Sequence, residues 1–322
     1  MKIVFHGANA MTFREGLENL LDQPHEIIEL PDDLSAEPAR ALYSAADMII
    51  GVRLSLGMPV SPHLKLYQVP GAGYDGIDPV ALPAGAALCN CFGHENAIAE
   101  YVMAALLARH VPLDDADRRL RSGDWKYWAG GSEGLRTELG ETRIGILGYG
   151  HIGKTLALRA KAFGMGVIVA NRSPVSVSEL VDETYSLNDL SVFMGSADAI
   201  VNTLPLTDQT RGLIGEAELT AMRPDALILN VGRGAVIDEL ALYNTLKTRR
   251  IGGAVIDTWY VYPNADNTIP LPAGLPFHEL DNVVMTPHMS GWTFGTIRRR
   301  RQAIADNINR LASGEDLRNR VR

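Results

Sequence analysis

Cysteine is nearly absent from this chain. Its 322 residues include two, Cys89 and Cys91, too few for a disulfide framework. Two apart on a strand, they share one face and read as small buried side chains. Long apolar runs are missing too: none approaches the roughly 20 residues needed to span a bilayer. The N-terminal Met1-Lys2-Ile3-Val4-Phe5 enters a strand directly, with no signal-like core, so a cytoplasmic protein is expected. Positive charge is in deficit. A formal net charge of −8 argues against nucleic acid or an anionic membrane surface as partner. The one basic run, Arg298–Arg301, reads as a solvated helix face or a subunit contact. No Cys/His spacing suggests a metal. With 46% hydrophobic and 21% charged residues, a globular protein of about two domains remains.

The stretch from Arg143 to Ser173 organises the rest. Ile144–Leu147 reads as a buried parallel strand that stops at Gly148, Gly150 and Gly153, spaced G-x-G-x-x-G. An apolar-periodic helix follows (Ile152, Leu156, Ala160, Phe163), closed near Gly164, and a second strand, Val167–Ala170, ends at Asn171. In a dinucleotide site Gly148 permits the tight turn, Gly150 the approach of a pyrophosphate, and Gly153 the packing of helix on strand. The helix N-terminus, at His151 and Ile152, supplies N–H groups and a positive dipole end for phosphate.

The first hundred residues alternate strands (Lys2–His6, Glu26–Leu30, Met48–Val52, Leu64–Val69, Ala87–Cys91) with helices such as Met11–Leu21 and Ala36–Ala46. This pattern predicts a small α/β unit with a mostly parallel sheet. After its fourth strand, Pro70-Gly71-Ala72-Gly73-Tyr74-Asp75 is placed to show backbone N–H groups to an anion. A long helix from Asn96 towards Arg109 leads, through an irregular stretch with Trp125 and Trp128, to the second strand series. There Ala199–Asn202, Ala226–Asn230, Gly253–Ile256 and Val283–Met285 all end in polar or special residues. A last helix, about Thr293–Leu311, has no strand after it and is expected to pack on the first unit. The reading is an α/β chain of two Rossmann-like domains with parallel sheets. Residues 1–98 and 289–322 form a flavodoxin-like substrate-binding domain, and 99–288 a dinucleotide-binding Rossmann domain.

Three strand-end residues suit hydride transfer between nicotinamide and a hydroxy acid. Arg233, between two glycines, offers a permanently charged fork for planar oxygen pairs. His288 titrates near neutral pH and can move the hydroxyl proton. Asp257 can accept from a nicotinamide carboxamide. A Tyr243…Lys247 match to Y-x-x-x-K lies in an amphipathic helix after the wrong strand and reads as chance.

Gly71–Asp75, Gly148–Gly153, Leu204–Ile214, Asn230–Glu239 and Asn282–His288, in this order, resemble the D-isomer-specific 2-hydroxyacid dehydrogenase family over nearly the whole chain. The resemblance implies an active site in the interdomain cleft, a homodimer, and NAD(P) acting with a 2-oxoacid or 2-hydroxyacid. It assigns the substrate to Ala72, Gly73, Arg233 and Trp292, the last narrowing the pocket. It makes Arg233 and His288 catalytic. Cofactor contacts fall to Gly148, Gly150, His151, Ile152, Gly153, Asn171, Arg172, Ser173, Pro205, Thr210, Val231, Gly232, Asp257, Ser290 and Gly291. Trp125 is placed to reach a partner's active site. His94 either lines the cleft or caps a helix.

Two departures stand out. Tyr262 occupies the position of the family Glu that pairs with the histidine. A phenol brings no negative charge at neutral pH, so this histidine is expected to protonate less readily than in Glu-containing relatives. At the other end, Asn171-Arg172-Ser173 replaces the Asp of NAD-specific members, removing a carboxylate and supplying groups suited to phosphate. The expectation is NADP(H) over NAD(H), in a reductase of the glyoxylate/hydroxypyruvate type. Formate dehydrogenases also lack the Glu, so a formate- or phosphite-type enzyme is one alternative. A dinucleotide-sensing, corepressor-like binding protein is another.

Overall fold

The computed structural model describes residues 1–264 and 267–322. The chain divides into two compact units, Met1–His94 with Trp292–Arg322, and Glu95–Gly291.

The first unit runs β1 (Lys2–His6), α1 (Gly7–Met11), β2 (Glu26–Leu30), α2 (Glu37–Ser44), β3 (Met48–Ile50), β4 (Leu66–Gln68) and β5 (Ala87–Cys89). Its strands pair in parallel in the order β2-β1-β3-β4-β5. Alternate residues feed two cores. Val4, Ile49, Tyr67 and Leu88 face one; Ile3, Phe5, Met48, Ile50 and Leu66 face the other. Burial on both faces is why these strands read as continuous apolar runs. Cys89 and Cys91 are free thiols buried in the second of these cores, as expected. The helix expected over Met11–Leu21 is displaced: α1 ends at Met11, Gly16 sits at φ +73°, and a single 3-10 turn follows at Leu17–Leu20. A left-handed glycine interrupts a helix whatever the apolar spacing says.

The second unit opens with α3 (Glu95–His110) and α4 (Leu113–Arg121). It continues with β6 (Arg143–Leu147), α5 (His151–Ala162), β7 (Gly166–Asn171), β8 (Glu183–Ser186), α6 (Leu190–Gly195), β9 (Ala199–Asn202) and α7 (Glu216–Ala221). The series ends with β10 (Leu227–Asn230), α8 (Glu239–Lys247), β11 (Gly253–Ile256) and β12 (Val283–Met285). The sheet is again all parallel, ordered β12-β11-β10-β9-β6-β7-β8. Helix α9 (Phe294–Ser313) returns to the first unit and buries Ile304, Ala305 and Ile308 beside Ile3 and Phe5. The basic run on α9 is only partly a solvated face: Arg298 is exposed, but its neighbours are half-buried. Arg299 Nε donates to Gly93 O (2.7 Å) and Arg301 Nε to Phe13 O (3.2 Å), so these two stitch the helix to loop carbonyls.

Helices α4, α6 and α7 and strand β8 of the second unit were not foreseen. The stretch ahead of Trp125 is helical, as α4, although none of its residues is buried. Its order comes from charge: Asp115 accepts from Arg118, Arg119 and Tyr127, and Arg119 also reaches Asp124. These bonds hold the Asp115 carboxyl far below the usual range, Arg119 contributing most. The edge strand β8 is mostly exposed and offers no apolar pattern to read.

What positions the site is register. Met285, Ile256, Asn230, Asn202, Leu147 and Ala170 pair in one row across six strands. The residues just beyond, Thr286, Asp257, Val231, Thr203, Gly148 and Asn171, therefore share the carboxyl edge. Strand order reverses between β6 and β9, the crevice where open parallel sheets bind ligands.

Candidate active site

At the switch point each glycine of the 148–153 turn meets a different constraint. Gly148 has φ +96°, and a Cβ there would lie 2.9 Å from Thr203 Oγ1. A Cβ on Gly153 would fall 2.3 Å from Gly148 O, whereas one on Gly150 would meet no protein atom within 4 Å. The turn is packed behind and open in front, as a pyrophosphate seat requires. Helix α5 starts at Gly150 with no side-chain cap and no acid in its first turn, so its dipole end is left for an anion. It closes at Gly164 (φ +79°), with Gly164 N–H on Lys161 O (2.9 Å) and Met165 N–H on Ala160 O (3.1 Å), a Schellman ending.

Asn171 is more occupied than its sequence context suggested. Its Oδ1 accepts from Tyr149 N–H (3.1 Å) and its Nδ2 donates to Ser173 O (2.9 Å). It clamps the glycine turn to the end of β7. An Asp could take the first bond but would set its second oxygen against Ser173 O. Arg172 and Ser173 are exposed, and among the described residues no hydrogen bond or ion pair engages the Arg172 guanidinium.

Arg233 stands on a loop built by two buried asparagines. Asn202 and Asn230 are paired across β9 and β10. Asn202 Nδ2 donates to Asn230 Oδ1 (2.9 Å), which also takes Gly232 N–H (3.2 Å), while Asn230 Nδ2 donates to Arg233 O (3.1 Å). Gly232 is required because a Cβ would lie 2.6 Å from Leu204 O. Both asparagines close apolar strands, and that shared ending was the sequence signal for them. Arg233 Nη1 donates to Gly232 O (2.9 Å).

His288 adopts φ +56°, a left-handed backbone uncommon outside glycine. Asp257, fully buried, holds the loop on both sides of it. The carboxylate accepts from Thr286 Oγ1 (2.6 Å), Met289 N–H (2.8 Å) and Ser290 N–H (3.0 Å). Most of its acceptor capacity is therefore committed to this loop. Tyr262 approaches from the other side, its Oη 3.0 Å from His288 Nδ1 and accepting Trp259 N–H at 3.0 Å. Burial lifts the Tyr262 hydroxyl above its ordinary pKa, against the opposing effects of the Trp259 N–H bond and, less, the Arg233 charge. It stays a neutral phenol. The Tyr262 oxygen thus already accepts the Trp259 N–H, and its hydroxyl shares one hydrogen bond with His288 Nδ1.

A switch-point glycine turn, an Arg loop and a buried-carboxylate His loop thus lie along one sheet edge. The family model for the D-isomer specific 2-hydroxyacid dehydrogenase NAD binding domain matches residues 103–290. The chain belongs to this family. The dehydrogenase is 34% identical to the glyoxylate reductase of Aeropyrum pernix over 287 residues, 87% of this chain and 82% of that one. Among solved structures, it is similar to an acyclic imino acid reductase in complex with NADPH and D-Arg. That match has TM-score 0.79 and 28% identity, with both chains covered in full. It also resembles a D-isomer specific 2-hydroxyacid dehydrogenase from Xanthobacter autotrophicus in complex with NADPH and MES (TM-score 0.79, 26% identity, 99% and 97% covered).

Other expected residues of the dehydrogenase fall in varied settings. Pro205 is exposed, but the Thr210 hydroxyl is spent inside its own turn, donating to Pro205 O (2.7 Å) and accepting Thr207 N–H (2.8 Å). It braces the loop and has little left for a ligand. Val231 is buried among apolar side chains, Ser290 is buried and Gly291 half-buried. In the first unit Ala72 and Gly73 are half-buried, and Asn90 Nδ2 fixes the loop by donating to Ala72 O (2.8 Å). Trp292 lies edge-on to Phe13, ring centres 6.0 Å apart. Tyr243 packs on Phe277 with Lys247 over its ring, the structural role expected of a chance motif. A pocket of about 340 Å³ is walled by Trp259, Tyr262, Pro263, Pro272, Met285 and Pro287. No His/Cys/Asp/Glu group among the described residues could hold a metal, and no helix among them is long and apolar enough to cross a membrane.

Proposed function

We propose that this dehydrogenase is an NADPH-preferring 2-oxoacid reductase of the glyoxylate/hydroxypyruvate type, equivalently a D-2-hydroxyacid dehydrogenase run in reverse. The observation that carries it is the His288 loop, where Asp257 brackets the backbone on both sides of the histidine and Tyr262 holds Nδ1. Bound NADPH would supply the hydride. The chain's own residues do the rest. The 148–153 turn seats the pyrophosphate, Arg233 binds and polarises the oxoacid oxygens, and His288 delivers the proton. In the first unit, the Ala72-Gly73 backbone offers N–H groups to a carboxylate.

The cofactor preference rests on Arg172 and Asn171. An uncommitted guanidinium at the end of β7 suits a 2′-phosphate, and charge-assisted hydrogen bonds of this kind are each worth about 1.5–3 kcal/mol. Arg172→Ala is therefore expected to raise KM for NADPH by roughly 10- to 100-fold while leaving that for NADH nearly unchanged. Asn171→Asp, which adds a negative charge and loses the Ser173 bond, should shift preference towards NADH. A wild-type KM for NADPH no lower than that for NADH would refute the assignment.

Tyr262 sets the pH behaviour. Tyr262→Glu would place a carboxylate beside Nδ1, favouring imidazolium by about 1–3 pH units. Imidazolium is the proton-donating form, so the alkaline limb of kcat/KM for reduction should move to higher pH by a similar amount. An unmoved limb would show that the phenol does not control the acid. The same residue favours a second reading, in which the substrate is a 2-imino acid. A protonated imine brings its own proton, so hydride addition needs no acid, and the uncharged phenol of Tyr262 does not repel the cation. The 28%-identical imino acid reductase supports this reading.

We also infer a homodimer built on the α4 arm. Leu113, Leu120, Trp125, Trp128 and Leu135 are all more than half exposed there, a density of apolar side chains that marks an interaction surface. Sedimentation at a monomer's mass would exclude it.

A further inference from the structure

We infer that Tyr101 is a positioning residue for His288, acting through Thr286 and Asp257. Its side chain leaves α3, the first helix of the second unit, and its Oη lies 2.7 Å from Thr286 Oγ1. Thr286 Oγ1 in turn lies 2.6 Å from Asp257 Oδ1.

The direction of this chain is fixed by chemistry. A buried carboxylate only accepts, so Thr286 spends its single proton on Asp257 and must accept from Tyr101. Burial raises the Tyr101 hydroxyl pKa and keeps its proton in place for that bond. Tyr101 thereby determines which way the Thr286 hydroxyl points.

Thr286 matters because it joins the loop to three further groups. Its backbone N–H donates to Ile256 O (3.0 Å), and its carbonyl accepts from Trp259 Nε1 (2.8 Å) and His288 N–H (3.1 Å). Asp257 Oδ1 is shared between the Thr286 hydroxyl and Met289 N–H, and Oδ2 takes Ser290 N–H. His288, at φ +56°, lies inside this bracket. A left-handed non-glycine residue persists only where its surroundings over-determine it. If the Thr286 hydroxyl turns away, Oδ1 is left with one donor and the bracket loosens on the amino side of the histidine. The chain of bonds also ties the first helix of the unit to its last loop, since α3 begins at Glu95 and the unit ends at Gly291.

The test uses the full-length protein and two readouts. In Tyr101→Phe, amide hydrogen exchange at Met289 and Ser290 should speed several-fold, with the other strand ends and the melting temperature unchanged. With NADPH and glyoxylate, kcat should fall roughly tenfold, because small displacements of a reacting group are costly, while KM for NADPH holds. Thr286→Ala should reproduce both effects and Thr286→Ser should restore them. Added to Thr286→Ala, Tyr101→Phe should have no further effect, since both lie on one route. Wild-type exchange at Met289 and Ser290 in Tyr101→Phe would overturn the inference, as would a full additional effect in the Thr286→Ala background. The kinetic part rests on His288 being the proton donor. An active His288→Asn enzyme would remove that reading without touching the exchange result, so the two failures are distinguishable.

Discussion

His288→Asn is expected to lower kcat/KM for oxoacid reduction by about 10²- to 10⁴-fold, the usual worth of a positioned general acid. Asparagine can keep a polar contact with Tyr262 but has no proton to release at neutral pH. The hydrogen bonds described above for the 148–153 turn and Asn171 do not use the imidazole, so NADPH binding, followed by fluorescence titration, should be retained. The loop should also survive, because Asp257 holds the backbone of Met289 and Ser290 and not the histidine side chain. A variant within tenfold of wild type on an oxoacid would move the proton donor elsewhere. The same variant retaining activity only on imines would instead support the imino acid reading.

Arg233→Ala should cost about 10²- to 10³-fold in kcat/KM, the range seen when a group stabilising developing oxyanion charge is lost. The loss can be read largely as chemistry because, beside the guanidinium's own bond to Gly232 O, the loop is tied by bonds that do not use the Arg233 side chain. Asn230 Nδ2 grips the Arg233 carbonyl and Asn230 Oδ1 the Gly232 N–H, and both bonds are independent of the side chain. Arg233→Lys should recover only part of the activity, since a point charge cannot reproduce two parallel hydrogen bonds. Lysine performing as well as arginine would show that charge alone suffices.

Much of this site was legible before any coordinates. The G-x-G-x-x-G turn, the apolar strands and the polar residues ending them specify a doubly wound sheet, and backbone register then brings those endings to one edge. What escaped was held by forces that leave little periodic trace. Helix α4 buries nothing and is ordered by ion pairs around Asp115, so an apolar pattern could not reveal it. The arginines of α9 reach loop carbonyls through long side chains, a contact that a run of like charges does not announce. Asp257 and Asn171 sit where ligand-binding residues were expected, yet each spends most of its hydrogen-bonding capacity shaping a loop. Residue type and strand-end position could identify them as important, but only geometry could show what they hold.

The most direct test of the proposed reductase is NADPH oxidation by the purified protein over glyoxylate, hydroxypyruvate, phenylpyruvate and branched 2-oxoacids, each with and without ammonium. Turnover of at least one oxoacid without ammonium, yielding the D-2-hydroxyacid, is the predicted result. NADPH binding with no oxidation by any oxoacid alone would contradict it.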